Sequence, residues 1–256
     1  MRTKDPSERA RLFNNLSNRL SETGENKEEA LKAIQEAVEI RRRLAKAQPA
    51  RYEPVLADSL NNLSVHLSET GENKEEALEA IRKAVKIYRR LAKAQPARYE
   101  PGLASILNNL SGRLSETGDH KEALEAIQEA VDLYRRLAKA QPARYEPDLA
   151  LSLNNLSLHL SETGDHKEEA LEAIREAVDL YRRLAKAQPA RYEPDLARSY
   201  SILGRVWERL EESERACEAY SAGADLVRPY AVKYPGSPHE SLLRALESDR
   251  KRCCQD

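Results

Sequence analysis

Internal repetition constrains this chain more than any other feature of its sequence. The hexapeptide PARYEP begins at Pro49, Pro96, Pro142 and Pro189, so successive copies lie 47, 46 and 47 residues apart. Four nearly identical units therefore precede a fifth, diverged unit. A unit of this length cannot enclose a core of its own, and such units become stable when neighbours stack and share their apolar faces. The repetition thus predicts a solenoid.

Each unit contains two patterns with helical spacing. In the fourth unit the first pattern runs through Leu149, Leu153, Leu156 and Leu160, and the second keeps an apolar stripe for about five turns, from Ala170 to Ala185. We expect the first helix to begin at Pro147 and Asp148, because proline and an acidic residue suit a first helical turn. Gly164 and Pro189 are expected to end the two helices.

The third unit differs from its neighbours by one residue. It reads GDHKEALEAI where the fourth unit reads GDHKEEALEAI, so one glutamate is missing at the junction of the two helices. The apolar stripe downstream keeps its phase. We therefore expect the connecting turn to absorb the deletion.

The repeats also predict the domain organisation. A solenoid is expected over residues 1–236, with units at about 6–48, 49–95, 96–141, 142–188 and 189–234, and a capping helix with a tail over residues 237–256. In the cap, Leu242, Leu243 and Leu246 should face inward. Cys217, Cys253 and Cys254 predict neither a disulfide framework nor a metal-ligand pair, and the tail is expected to fray.

The fifth unit carries the features by which a family can be identified. These features are Tyr200, Leu203, Gly204 and Trp207 in its first helix, and Ala216, Tyr220 and Gly223 in its second. This spacing resembles the tetratricopeptide repeat. The resemblance implies an all-α, right-handed α-solenoid of five helix pairs with a C-terminal capping helix. The second helices are about two turns longer than is usual in the family.

Composition and missing motifs exclude several functions. The formal net charge is −1, so no excess of basic residues indicates a nucleic-acid or anionic-membrane partner. No apolar stretch approaches the roughly eighteen residues of a membrane span, and the N-terminus lacks the apolar core of a signal peptide. We therefore expect a cytoplasmic protein. Neither a phosphate-binding glycine loop nor a close histidine pair occurs, so no enzyme, cofactor or metal is expected.

Comparison of the units identifies a variable surface. On the first helix, the side opposite the leucines differs between units in charge, size and polarity, whereas the outer positions of the second helix vary among polar residues. The variable residues are Arg11, Asp58, Val65, Leu151, Leu158, Arg198 and Arg205. Drift on a solvated surface and selection by a ligand both account for this variation.

Pairs of asparagines recur beside the variable positions in the first four units. They are Asn14 and Asn15, Asn61 and Asn62, Asn108 and Asn109, and Asn154 and Asn155. The Asn-Asn-Leu pattern resembles kinesin light-chain repeats and bacterial sensor repeats. That resemblance implies a concave groove in which the carboxamides bind the main chain of an extended peptide, since an amide both donates and accepts. Alternatively, the asparagines bond to adjacent helices and fix the stacking.

The sequence therefore predicts a protein–protein interaction module that binds an extended peptide with apolar anchors and mixed charge. A second hypothesis is a scaffold that self-associates through the uncapped N-terminal repeat. A third, from family analogy alone, is the sensor or regulatory segment of a larger bacterial signalling NTPase.

Overall fold

The computed structural model describes residues 5–23, 26–71, 73–163 and 166–254. All the regular secondary structure in these ranges is helical. The helices are α1 (Pro6–Thr23), α2 (Lys27–Ala47), α3 (Pro49–Thr70), α4 (Lys74–Ala94), α5 (Pro96–Thr117), α6 (His120–Ala140), α7 (Pro142–Thr163), α8 (Lys167–Ala187), α9 (Pro189–Arg209), α10 (Ser213–Lys233) and α11 (Pro238–Cys253). The predicted all-α class is confirmed.

The chain divides into two compact units, residues 1–133 and 134–256. In the first, successive helices from α1 to α5 pack against one another, and α3 also contacts α1 and α5. In the second, successive helices from α7 to α11 pack against one another, and α9 also contacts α7 and α11. In both units, the odd-numbered helices of neighbouring repeats thus touch each other. This is the layered packing of an α-solenoid, as predicted.

The PARYEP segment is helical, which corrects the expected helix starts. Helix α7 begins at Pro142, and Pro147 lies inside it. The same arrangement is visible at α3, where the single residue Gln48 separates two helices. Its N–H donates to the Leu44 carbonyl at 2.9 Å, and its carbonyl accepts from the Tyr52 N–H at 3.1 Å. One residue therefore ends one helix and begins the next.

The one-residue deletion in the third unit is absorbed by the turn, as expected. Helices α2, α4, α6 and α8 each contain 21 residues. Gly118 and Asp119 alone separate α5 from α6, whereas three residues separate α3 from α4. Gly118 ends α5 with φ 89°, a left-handed conformation that glycine adopts without strain. Gly164, which was expected to end α7, lies outside the described residues, and α8 ends at Ala187, two residues before Pro189.

Small residues on the odd helices allow the large side chains of the even helices to approach. Gly204 lies directly against the fully buried ring of Tyr220, with no room for a Cβ atom between them. The earlier units carry serine where the fifth carries Gly204. In the third unit, Ser111 is buried and its Oγ donates to the Asn108 carbonyl at 2.8 Å. Ser111 therefore stays hydrogen-bonded within its own helix, whereas the Ser157 Oγ of the fourth unit donates to the Ala170 carbonyl of α8 at 2.8 Å.

The C-terminal segment packs as an ordered helix. Leu246 of α11 is fully buried, and Leu242 and Leu243 pack against the same core cluster, as predicted. The expected frayed tail is wrong, because Cys253 is buried at the end of α11. The expectation of no disulfide is also wrong, because Cys217 and Cys254 are bonded. No helix among the described residues combines the length and apolar composition that a membrane crossing requires.

Candidate functional site

The odd-numbered helices bury one side and leave the opposite side accessible. In α3, Leu60 and Leu67 are at most 2 % exposed, whereas Asp58 is exposed and Val65 is half-buried. The leucines follow helical spacing and pack into the core, so the residues between them remain on the accessible side. We call this side of α1, α3 and α5 the first amide surface. We call the same side of α7 and α9 the second, apolar–basic surface.

Side-chain amides connect neighbouring helices on the first amide surface. The Asn109 Nδ2 donates to the Asn61 Oδ1 at 2.9 Å, which links α5 to α3. The Asn62 Nδ2 donates to the Asn18 Oδ1 at 3.4 Å, which links α3 to α1. The asparagines therefore take part in stacking. An amide offers two N–H groups and two lone pairs, so these bonds leave capacity for a further partner.

The asparagine pairs are not equivalent to one another. Asn15 is exposed, and Asn108 and Asn155 are half-buried. The Asn14 Oδ1 accepts a hydrogen bond from the Ser59 Oγ at 3.0 Å. Asn154 is only 5 % exposed, and its Oδ1 has no hydrogen-bond partner. A repeated sequence motif thus places its amides in four different environments.

The orphaned Asn154 carbonyl follows from the fifth repeat. Asn61 accepts from Asn109, which is the second asparagine of the next repeat. The residue in that position after Asn154 is Ile202, which has no donor in its side chain. The fifth repeat therefore offers Asn154 no amide donor at this position.

Two residues of the second helices also shape the first amide surface, and the sequence analysis missed them. The Arg41 Nη1 lies 3.1 Å from the Asn14 Oδ1 and 2.9 Å from the Val55 carbonyl, and it also donates to the Ser59 Oγ. Arg41 therefore ties α2 to α1 and α3.

Tyr88 occupies the position of Arg41 in the following repeat. Its hydroxyl donates to the Asp58 Oδ1 at 2.6 Å, and burial raises the pKa of Tyr88. Although part of Asp58 is exposed, desolvation raises the pKa of its carboxyl, and the Tyr88 hydrogen bond and the Arg41 charge oppose that shift. Burial lowers the pKa of Arg41, and Asp58 opposes this. Repeat comparison could have found both residues, because arginine replaces a recurring tyrosine at position 41.

A cleft of about 350 Å³ opens at the end of the first amide surface. Arg11, one of the predicted site residues, lines it and pairs with Glu8 at 3.8 Å. The other lining residues are Asp5, Ser7, Ala10, Arg41, Leu44, Tyr52 and Val55. Acidic and basic groups both face the cleft, so its charges are largely compensated.

The second surface carries apolar and basic groups side by side. Leu151 of α7 is 48 % exposed, which is unusual for a large apolar side chain in this protein. Leu158, about two turns further along the same face of α7, is half-buried. Arg198 and Arg205 take the same positions on α9, and both are exposed. Arg198 pairs with Asp195 at 2.6 Å in its own helix. Because α7 contacts α9, the two leucines and two arginines form adjacent strips.

The glutamates that recur after the asparagines connect neighbouring repeats. The Ser21 Oγ donates to Glu69 at 3.0 Å, and the Ser68 Oγ donates to Glu116 at 2.7 Å. Lys27 reaches the Glu69 carbonyl at 3.3 Å, so the same segment is tied twice. These acids support the stacking of α1, α3 and α5. The side chain of the first glutamate in the series, Glu22, lies outside the described residues.

Comparison with known families agrees with the geometry. Residues 9–48, 56–95 and 103–141 match the family model of the tetratricopeptide repeat. Residues 136–186 match a model described as anaphase-promoting complex subunit 5. No curated protein sequence matches the chain.

Solved structures share the fold at low sequence identity. A kinesin light chain-like protein of Podosopora anserina with nearly identical TPR-like repeats is 22 % identical with TM-score 0.60, and the match covers 91 % of this chain and 100 % of that one. BtubC (BKLC) from P. vanneervenii is 18 % identical with TM-score 0.59, and the match covers 88 % of each chain. Aspartyl phosphate phosphatase F from Bacillus subtilis is 14 % identical with TM-score 0.67, and the match covers 96 % of this chain and 58 % of that one.

Proposed function

Because this chain is a tetratricopeptide-repeat protein, and such repeats build protein–protein interaction scaffolds, we propose that it binds an extended protein segment on α7 and α9, the odd-numbered helices of its second compact unit that carry the apolar–basic surface. The observation that carries this proposal is the second, apolar–basic surface. There Leu151 is 48 % exposed and Leu158 is half-buried, on a helix whose other leucines are buried. Exposed leucine beside clustered arginine is typical of a surface that a partner covers.

The chemistry of that surface defines the ligand. Leu151 and Leu158 would take apolar side chains of the segment, since covering apolar area releases about 25 cal/mol per Å². Arg198 and Arg205 would take carboxylates, because a guanidinium offers paired donors that match a carboxylate. The preferred segment is therefore acidic and apolar in alternation, with side chains reaching two neighbouring helices.

The asparagines of the first compact unit would serve the main chain of a segment that binds there. The first amide surface holds Asn15 exposed and Asn62 and Asn109 half-buried. Their unused donors and acceptors suit peptide N–H and C=O groups of any sequence. The stacking bonds that they already make do not compete with this role, because each amide can take several partners. Binding at these amides would then depend little on the side chains of the ligand, whereas the leucine and arginine strips of the second surface would select side chains. No cofactor is needed.

A random peptide library displayed on phage tests the proposal. The parent protein should enrich peptides that combine acidic and large apolar residues. Leu151→Ser and Arg205→Gln should each weaken the enriched peptides about tenfold, which corresponds to about 1.4 kcal/mol. Val232→Ser is the matched control, because Val232 is an exposed apolar residue, 74 % accessible, on α10. It should leave binding unchanged.

Two results would overturn the proposal. One is the absence of any enriched peptide. The other is enrichment that survives both surface variants while they remain folded by circular dichroism. If the mass by sedimentation also rises with concentration, the self-associating scaffold becomes the better account.

A further inference from the structure

The three cysteines of the chain meet at the C-terminal cap. Cys217 lies on α10, and Cys253 and Cys254 lie at and just beyond the end of α11. All three sulfur atoms lie within 4.8 Å of one another. Cys217 is bonded to Cys254, and the Cys253 Sγ lies 2.7 Å from the Cys217 Sγ. The Cys217 sulfur is therefore within reach of two neighbouring sulfurs.

We propose that Cys217, Cys253 and Cys254 form a thiol–disulfide exchange site, in which Cys217 pairs with either neighbour and small-molecule disulfides serve as the oxidant. This site is separate from the proposed peptide surface and does not depend on it. The structure contains one of the two disulfides, with the third thiol beside it.

Exchange between the two disulfides needs no outside reactant. The Cys253 thiolate attacks the Cys217 sulfur, a bond forms between these two atoms, and the bond to Cys254 breaks. Cys254 leaves as a thiolate and takes up the proton that Cys253 released. One disulfide and one thiol are present before and after the step, so electrons and atoms balance.

Formation of the first disulfide consumes one small disulfide. In the reduced protein, the exposed Cys254 thiolate attacks one sulfur of the small disulfide and releases one small thiolate. The Cys217 thiolate then attacks the Cys254 sulfur and releases the second. Two protein thiols are oxidised to one disulfide, and one small disulfide is reduced to two thiols.

The exposure of each cysteine indicates its role in the exchange. Cys254 is exposed, Cys217 is half-buried and Cys253 is 8 % exposed. Cys254 is therefore the entry point for an outside disulfide, and Cys253 is shielded from one. The Arg250 carbonyl lies 3.9 Å from the Cys217 Sγ and 3.7 Å from the Cys253 Sγ, so both sulfurs are held beside the last turn of α11.

The disulfide holds the end of the cap against α10. Without it, α11 retains the buried Leu246 and two ion pairs, Arg228–Glu247 at 2.7 Å and Arg252–Glu208 at 3.0 Å. Reduction should therefore loosen the last turn while the rest of the cap stays packed. The redox state of the site sets how firmly the end of the solenoid is closed.

The test is disulfide mapping by mass spectrometry of the full chain after incubation with glutathione disulfide, acid quench and alkylation. Parent protein should contain one intramolecular disulfide and one alkylated thiol per chain. Cys253→Ser should retain a Cys217–Cys254 bond, and Cys254→Ser should form a Cys217–Cys253 bond instead. Cys217→Ser should lose the bond between α10 and α11. Limited proteolysis should cut after Arg252 or Lys251 faster in reduced parent than in oxidised parent.

Several outcomes would overturn the proposal. They are three alkylated thiols in the treated parent, a Cys254→Ser protein in which both remaining thiols are alkylated, and a bond that joins two chains. Circular dichroism of each variant shows that loss of the bond is not loss of the fold. Serine is close to cysteine in size, so all three variants should pass this control.

Discussion

Asn61 and Asn154 occupy the same position in two nearly identical repeats, yet their side chains have opposite environments. The Asn61 carbonyl accepts a 2.9 Å hydrogen bond from Asn109, whereas the Asn154 carbonyl is buried without a partner. The difference arises one repeat later, where Ile202 stands in place of an asparagine. In a solenoid, the contribution of a residue therefore depends on its neighbour in the next repeat as much as on its own repeat.

The same comparison extends to the two surfaces. On the first amide surface, Arg41, Tyr88 and the asparagines are engaged in hydrogen bonds between helices. On the second surface, the side chains of Leu151 and Leu158 cannot form hydrogen bonds with neighbouring helices, and both remain partly accessible. We infer that the first surface contributes mainly to stability and the second mainly to recognition. The following predictions test that division.

The largest effect on stability is expected from Arg41. Replacing Arg41 with alanine removes a charged donor shared by Asn14, Ser59 and the Val55 carbonyl. A hydrogen bond to a charged group contributes about 1.5–3 kcal/mol, so the free energy of unfolding should fall by about 2 kcal/mol. Urea denaturation measures this. Arg42→Ala is the control, because exposed Arg42 pairs with Glu39 within its own helix and should cost under about 0.5 kcal/mol.

A matched pair of substitutions sharpens the asparagine comparison. Asn61→Leu deprives Asn109 of its acceptor and should lower the free energy of unfolding by about 1 kcal/mol. Asn154→Leu removes a buried acceptor that has no donor, so it should leave stability unchanged or raise it by about 1 kcal/mol. Thermal and urea unfolding of the two variants measure the sign and size of each change in the free energy of unfolding. Equal destabilisation by both would contradict the comparison.

Leucine substitutions on the second surface should separate binding from stability. Leu158→Ser should weaken a peptide selected by the parent about tenfold, because an apolar contact of about 1.4 kcal/mol is lost. Leu158 is already half-exposed, so the midpoint of urea unfolding should hardly move. Fluorescence anisotropy with a labelled peptide measures the affinity. A large loss of stability with intact binding would instead assign Leu158 to the core.

The smallest effects on the free energy of unfolding are expected on the even-numbered helices. There, substitutions in the two compact units should have similar effects. Arg89 pairs with Glu129 in the first unit, and Arg135 pairs with Glu176 in the second. The four side chains are 38–55 % exposed, so solvent screens both pairs. Arg89→Ala and Arg135→Ala should each change the free energy of unfolding by less than about 0.5 kcal/mol. An effect above 1 kcal/mol in one variant would show that the outer layer also distinguishes the units.

Much of the fold could be predicted from the sequence because repeat period and apolar spacing report directly on helix packing. The all-α solenoid, the leucines at helical spacing in α7, the turn that absorbs the missing glutamate and the inward face of α11 are confirmed. The predicted starts of the odd helices were wrong. We assigned Pro147 to the first helical turn, whereas α7 already begins at Pro142. Pro147 cannot donate to the carbonyl of residue 143, and Ala143 is exposed, so water can satisfy that carbonyl.

The candidate site was harder to predict than the fold. Spacing correctly assigned Asp58, Leu151 and Arg198 to the accessible side of their helices, but their roles in binding remain predictions. Repeat comparison could have marked Arg41 as exceptional, but its contacts with α1 and α3 depend on side-chain geometry across three helices. The cysteine cluster depends on how α11 lies on α10, which brings residues 217 and 254 to a Cα–Cα distance of 6.0 Å. The exact limits of the five units and of the cap stay predictions.

The most direct test is methyl NMR of leucine-labelled protein titrated with a peptide selected by the parent. Leu151→Ile and Leu158→Ile assign the two methyl signals of interest. We predict that both signals shift on titration and that the signals of buried leucines such as Leu60 and Leu67 move far less. Unchanged Leu151 and Leu158 signals in the presence of saturating peptide would contradict the assignment of recognition to the second surface.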